Sequence, residues 1–452
     1  MKAQRFFTTI TFWLFLFTSL PLKAADWPKF LGPLGTGITT ETNLISHWSA
    51  SGPKRLWRQE IGTGYSAPSI IGNQLTLHHR IGNEEIVETY EAETGLSTWR
   101  YSYPSHFVDP FGYNNGPRCS PLLTKTRCYT FGAEGKLVCL ERATGKHLWT
   151  RNTAADFNIP QAFFGVGSTP ILESGLLIVM VGGQPNSGIA AFDPETGKTV
   201  WSSIGKDNWD GKPKIGWRGE PPVKWKEYET QASYASPVPA TIHGKRHLLC
   251  FMRQGLVSLD PKSGKILFSF WFRSRVNESV NAINPVVKDD LVFLSAAYYG
   301  IGSVLLRVQK DGHSVKEIWR DDVLEIHWST PILDKGYLYA FSGRNEPDAR
   351  FRCVEFATGE LKWDQDQRWR KSSTPPNVYG RGSIVMADGK MFVLGEAGLL
   401  GLFKPNSEKP IELARYQVPE LKYPCWAAPI ISNKRLYLRS ENRLLCYDIA
   451  SN

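Results

Sequence analysis

The stretch Ile189-Ala190-Ala191-Phe192-Asp193-Pro194-Glu195-Thr196-Gly197-Lys198-Thr199-Val200-Trp201 reads as two short strands joined by a tight turn. The run before Asp193 is apolar enough for a buried strand. Pro194-Glu195-Thr196-Gly197 supplies the turn, and Gly197 can take the left-handed conformation that closes such a hairpin. Val200-Trp201 opens the outgoing strand with a large apolar anchor.

The same unit recurs along the chain. It appears as Tyr90-Glu91-Ala92-Glu93-Thr94-Gly95 with Trp99, and as Leu140-Glu141-Arg142-Ala143-Thr144-Gly145 with Trp149. Val354-Glu355-Phe356-Ala357-Thr358-Gly359 leads to Trp363, and Leu259-Asp260-Pro261-Lys262-Ser263-Gly264 leads to Phe268 in the Trp place. Two copies are degenerate: Lys310-Asp311-Gly312 before Trp319, and Lys404-Pro405-Asn406-Ser407 before Leu413-Ala414. A second signature, a small residue followed by Pro and then aliphatic residues, opens each unit. It stands at Ala67-Pro68, Ser120-Pro121, Thr169-Pro170, Ser236-Pro237, Asn284-Pro285, Thr330-Pro331 and Ala428-Pro429, and without the Pro at Gly382-Ser383-Ile384. These eight starts lie roughly 46 to 67 residues apart, the spacing of four-stranded blades. Pro suits the first residue of a strand, so each one marks the entry of an inner strand.

Two further apolar runs per unit complete four strands, which predicts an all-β chain: an eight-bladed β-propeller of four-stranded blades. The last unit ends at Leu444-Leu445-Cys446-Tyr447-Asp448 without an outgoing Trp strand. The missing strand is Lys54-Arg55-Leu56-Trp57-Arg58, so an N-terminal strand is expected to complete the last blade and hide two sheet edges. The alternative is a linear array with one frayed edge. Trp57, Trp99, Trp149, Trp201, Phe268, Trp319 and Trp363 are expected between neighbouring blades as docking anchors.

The repeats argue for one closed domain over residues 54–452, preceded by a lead-in at 25–53, since blades cannot bury their faces alone. Residues 1–24 have the three parts of a secretory signal peptide: Lys2 and Arg5, an apolar run from Phe6 to Leu20, and a small-residue end at Ala24. The chain is therefore expected to be exported, periplasmic or extracellular, with the uncleaved anchor as alternative. Formal net charge is +10, and Lys2, Arg5 and Lys23 account for three of it. The bases are scattered among acids, with no tract or module that suits nucleic acid. The seven cysteines form no CxxC, which excludes a zinc knuckle or a CxxCH haem site, and their apolar settings suit small buried hydrophobes.

Residues just before each inner strand should ring one mouth of the channel. Counting three before each start gives Tyr65, Arg118, Gly167, Tyr234, Ala282, Trp328, Gly380 and Trp426, with Asn281, His327, Arg381 and Cys425 as neighbours. The candidate ligand-binding set is Tyr65, Arg118, Tyr234, Asn281, His327, Trp328, Arg381 and Trp426. Aromatic faces and guanidinium forks in that arrangement suit a flat ligand or an anion, or else plug the channel. The arginines are expected to face solvent and to carry little packing, so that removing Arg118 and Arg381 leaves the fold intact. The polar, Trp-rich loop over 203–231 is expected to roof this mouth. The insertion Tyr103 to Pro117, with His106, Asp109 and Tyr113, lies on the same side, and His106 and Asp109 read as loop polars.

The Thr-Gly-x-x-x-Trp hairpins resemble the pyrroloquinoline-quinone (PQQ)-type propeller repeat. The opening Asp26-Trp27-Pro28-Lys29-Phe30-Leu31-Gly32-Pro33 is similar to the lead-in of exported bacterial proteins with this propeller. The repeat occurs in quinoprotein dehydrogenases and in the propeller subunit of the outer-membrane β-barrel assembly machinery. The dehydrogenases imply PQQ, Ca²⁺, a vicinal Cys-Cys disulfide and a catalytic Asp. This chain has no adjacent cysteines and no Asp in the ring, and Glu278, Asn281 and Asn284 are the only local oxygen ligands. The resemblance therefore implies a non-catalytic exported scaffold for a protein, peptide or glycan. It is expected to be monomeric, with no cofactor and with peripheral association to a membrane complex. A PQQ- and Ca²⁺-dependent oxidoreductase is the alternative, and an unfamiliar hydrolase or lyase at the mouth is a further one.

Overall fold

The computed structural model describes residues 26–159, 164–183, 187–204, 234–274, 279–371 and 376–451. The signal-peptide segment, Glu278 and nearly all of the 203–231 loop lie outside the described residues. The described chain is a β-propeller of eight four-stranded antiparallel sheets. Seven blades are consecutive runs of four strands, the third being Ile171–Glu173, Leu176–Gly183, Ser187–Phe192 and Thr199–Ser203. Inner and middle strands are packed on both faces, which explains their unbroken apolar runs: Leu248 to Met252 are all fully buried. Outermost strands alternate, as Ser97–Pro104 does, because one face meets solvent.

The eighth blade is closed by the N-terminal strand. Arg55–Glu60 pairs antiparallel with Arg443–Asp448, in register from Trp57 with Cys446 to Glu60 with Arg443, with a one-residue shift where Arg55 meets Tyr447. The ring is thus sealed between the two ends of the chain, and the linear array is set aside.

The repeated hairpin explains how blades dock. Asp193 Oδ1 accepts from the backbone N–H of Glu195 (3.0 Å) and Thr196 (2.7 Å) and from the Thr196 hydroxyl (2.8 Å), which fixes the turn. Gly197 then sits at φ +68°, and a Cβ there would lie 2.7 Å from the Trp149 ring of the preceding blade. Trp149 completes the dock by donating its indole N–H to Pro194 O at 3.1 Å. Trp57, Trp99, Trp201, Trp319 and Trp363 make the same bond to Ala92, Arg142, Pro261, Phe356 and Asn406. Phe268 is buried but has no N–H to offer, so its seam lacks the bond. Substituting Trp149→Ala removes a large, 9 % exposed ring and leaves a void. The expected loss is about 3 kcal/mol, read by chemical denaturation, without change in ligand binding.

The small residue before each Pro also has a physical role. Ser120 N–H donates to Thr169 Oγ1 (3.3 Å), Thr169 N–H to Ser236 Oγ (2.9 Å), Ser236 N–H to Asn284 Oδ1 (2.8 Å), and Asn284 N–H to Thr330 Oγ1 (3.0 Å). This relay stitches blades two to six at the channel wall. Ala67 and Ala428 have no side-chain oxygen to continue it. Across that arc the lead-in runs instead. Trp27 exchanges bonds with Ile70, Leu123 N–H donates to Pro28 O, and Thr39 N–H donates to Met386 O. Leu44 N–H donates to Asp388 and Ile45 N–H to Ile449 O. The lead-in is therefore a strap across the face opposite the predicted mouth. The seven cysteines are buried free thiols.

Candidate functional site

Each inner strand runs from the mouth toward the strap, and the second strand returns. The mouth is therefore built from residues before the inner strands and from hairpins between second and third strands. Between mouth and strap lies a cavity of about 340 Å³. Phe30 and Leu31 of the strap line it, together with seven of the eight ring positions: Tyr65, Arg118, Gly167, Tyr234, Ala282, Trp328 and Trp426. His327 and Arg381 line it too, whereas Gly380 does not. Asn281, just before the inner strand of blade five, turns away from the channel onto blade four, fully buried, with Nδ2 donating to Met252 O at 2.7 Å. The structure thus gives Asn281 backbone bonds rather than a place at the mouth, because the blade-four carbonyls behind it need donors.

The aromatic rings touch one another around the opening. Trp426 lies 5.1 Å from Tyr65, 5.5 Å from Tyr113 and 5.2 Å from Trp328, centroid to centroid. Phe164 bridges Tyr113 and Tyr234 at 5.8 and 5.6 Å. Such tilted contacts are favourable for aromatic pairs and hold the wall together from several blades.

The two ring arginines are not free at the surface, which corrects the expectation that they face solvent. Arg118 is nearly buried and pairs with Asp109 at 2.7 Å, and Asp109 is held in turn by Phe111 N–H at 2.8 Å. Arg381 pairs with the fully buried Glu396 at 2.9 Å and with Glu346 at 2.8 Å, while its guanidinium stacks 4.6 Å over Trp328. Glu396 also accepts from the Trp369 indole at 3.0 Å and the Trp426 indole at 3.2 Å. Burial pushes the Glu346 carboxyl up, but the Arg381 charge and the Tyr423 hydroxyl outweigh it and hold the group below its usual range. A dry wall would leave a lone guanidinium uncompensated, so each one brings its own carboxylate.

His327 sits between Tyr298, Trp328 and Arg381. Burial first, and the Arg381 charge second, bring its pKa down to about 3. Arg381 Nη1, which can only donate, lies 3.2 Å from Nδ1, so in the neutral ring the proton is on Nε2, which donates to Tyr298 Oη at 3.1 Å. The unfolded chain takes up this proton below about pH 6.5 and the folded one does not until about pH 3. Stability is therefore expected to fall as pH drops from 6.5 toward 3. In melting curves His327→Gln should lose part of that slope and leave the curve above pH 7 unchanged.

Some residues of the site are not legible in the ring count. Tyr298, Arg344, Glu346, Glu396 and Glu441 all come from second-to-third strand hairpins, which carry no repeated motif. Asp109 serves Arg118 rather than being a loose loop polar, while His106 stays exposed. A calcium-held quinone needs several free carboxylate or amide oxygens in one place. Here Asp109 and Glu346 are committed to arginines and Asn284 Oδ1 to Ser236, whereas Asn281 donates through Nδ2 and its Oδ1 is buried with no hydrogen-bond partner among the described residues. Among the described residues no trio of His, Cys, Asp or Glu could hold a metal ion.

The family model described as outer membrane protein assembly factor BamB matches residues 36–158 and 185–315, more than half of the chain. None of the curated proteins matches. Among solved structures, BamB from Moraxella catarrhalis is similar with TM-score 0.57 at 14 % identity, covering 89 % of this chain and 99 % of that one. The quinohemoprotein alcohol dehydrogenase from Comamonas testosteroni gives 0.63 at 13 %, over 94 % and 81 %. A europium-containing methanol dehydrogenase gives 0.60 at 11 %, over 92 % and 89 %. At these identities the structural likeness speaks for the fold alone.

Proposed function

Since this chain belongs to the family described as outer membrane protein assembly factor BamB, we propose that it is an exported, non-catalytic propeller that holds a segment of a partner protein at its channel mouth. The observation that carries this reading is the pairing of charges around an apolar cavity. Arg118 is neutralised by Asp109 and Arg381 by Glu346 and Glu396, and His327 is kept uncharged. A general acid or base needs a group free to exchange a proton with its substrate. These groups instead brace a wall of Tyr65, Tyr234, Trp328 and Trp426. Around it Val108, Phe111, Tyr113 and Tyr299 leave 62, 52, 53 and 42 % of their surface exposed, an apolar rim of the kind that marks an interaction site. Aromatic anchors of this type dominate binding energy at protein interfaces.

A photo-cross-linking residue at Tyr113, introduced in living cells, is expected to trap a defined protein adduct. The same residue at Thr98, exposed on the outermost strand of the first blade, should trap none. Equal adducts from both positions, or none from Tyr113, would sink the reading. Export is expected to leave the mature chain in the periplasm or beyond it, and mass spectrometry of the purified protein should then read an N-terminus near Ala25. Among the described residues no helix is long and apolar enough to cross a membrane.

A further inference from the structure

Among the described residues the charges at the mouth do not all cancel. Arg344, on the hairpin between the second and third strands of blade six, has no carboxylate partner among the described residues. Its guanidinium lies 4.8 Å over the Tyr298 ring and 4.3 Å over the Tyr299 ring, and Nη2 donates to Tyr299 Oη at 3.2 Å. The nearest acid in sequence, Glu346, is committed to Arg381 and to the Tyr423 hydroxyl at 2.6 Å. Across the opening, Glu441 is held by Asn114 Nδ2 at 2.8 Å and Tyr65 Oη at 3.2 Å. Arg344 also lines the cavity itself, beside Trp328. A half-buried guanidinium stacked on two rings is pre-oriented, with its remaining N–H groups unused. It can grip a carboxylate at little entropic cost.

We infer that Arg344 is the specificity-determining residue of the mouth: the partner is an extended acidic peptide whose aromatic side chain fills the cavity while an adjacent carboxylate pairs with Arg344. This rests on the reading of the mouth as a partner site. The cavity, at about 340 Å³ and lined by Tyr65, Tyr234, Trp328 and Trp426, has room for a large aromatic side chain. Among the described residues nothing supplies Arg344 with a carboxylate, and the peptide brings one. Charge complementarity of this kind sets partner choice more than affinity.

The test uses the full mature chain and three capped tetrapeptides, Gly-Phe-Asp-Gly, Gly-Phe-Asn-Gly and Gly-Ala-Asp-Gly, with N-acetylphenylalanine as a small-acid control. Calorimetry and quenching of tryptophan fluorescence are the readouts. The Phe-Asp peptide is expected to bind at least tenfold tighter than the Phe-Asn or Ala-Asp peptide, with a weaker preference at high salt. Arg344→Gln should erase the preference for Asp over Asn without shifting the melting temperature, and Arg344→Lys should keep part of it. Equal binding of the Asp and Asn peptides, or a preference that survives Arg344→Gln, overturns the inference. Tighter binding of N-acetylphenylalanine than of any peptide overturns the peptide as its source. If no probe binds while Tyr113 still cross-links a protein, the acidic-aromatic assignment fails and the partner site stands. If both fail, the site itself is misplaced.

Discussion

A chain in which residues 54–60 are replaced by a Gly-Ser segment of equal length is expected to yield no soluble monomer. Arg55–Glu60 is the outer strand of the eighth blade, and it covers a neighbour strand in which Leu444, Leu445 and Cys446 are fully buried. Without it that strand becomes an open, apolar edge, the kind that recruits other chains. The replacement also removes Trp57, whose indole bonds to Ala92 O at 3.0 Å and whose ring packs on Gly95, so the seam between the last and first blades is lost as well. Size-exclusion chromatography and melting curves decide the matter. A monomeric variant with unchanged melting would mean that closure contributes nothing to stability.

The second large effect is expected at Arg381. Arg381→Ala leaves Glu396, with no exposed side-chain surface, buried beside an empty space and without its cation. Breaking a buried pair from one side costs about 3–5 kcal/mol, far more than losing an exposed pair. The double variant Arg381→Ala with Glu396→Gln should recover a substantial part of that loss, because no unpaired charge remains. Equilibrium denaturation of the two variants reads the difference. If Arg381→Ala melts like wild type, Arg381 carries no such burden and the carboxylate has found water.

The fold was legible because propeller blades repeat their physics. Thr-Gly turns mark where an indole docks, and the Pro positions mark where inner strands enter. The relay from Ser120 to Thr330 gives the residue before each Pro its own reason, one visible only once neighbouring blades are side by side. The site was half legible. Counting back from each Pro finds Tyr65, Arg118, Tyr234, Trp328 and Trp426, since equivalent positions face one channel. It misplaces Asn281, because a one-residue step along the chain moves a side chain from the channel into the blade. It also misreads Arg118 and Arg381 as free, because their carboxylates, Asp109, Glu346 and Glu396, come from loops of no fixed pattern. The strap was visible as a lead-in, but nothing in its composition says that Phe30 and Leu31 reach the cavity.

The pairing of Arg55 with Tyr447 has a consequence in time. Some 390 residues separate the two partners, so the strand made among the first waits for one made at the very end. At ordinary synthesis rates of about 5–20 residues per second, that wait is roughly 20–80 s. Seven blades can stack progressively meanwhile, each on the one before. The closing strand has no partner until the last hairpin arrives, although the strap before it can already bond to Ile70 and Leu123 of the first two blades. The contact that closes the ring is therefore the last to become possible, and any factor that shields the unfolded chain would matter most at its closing strand.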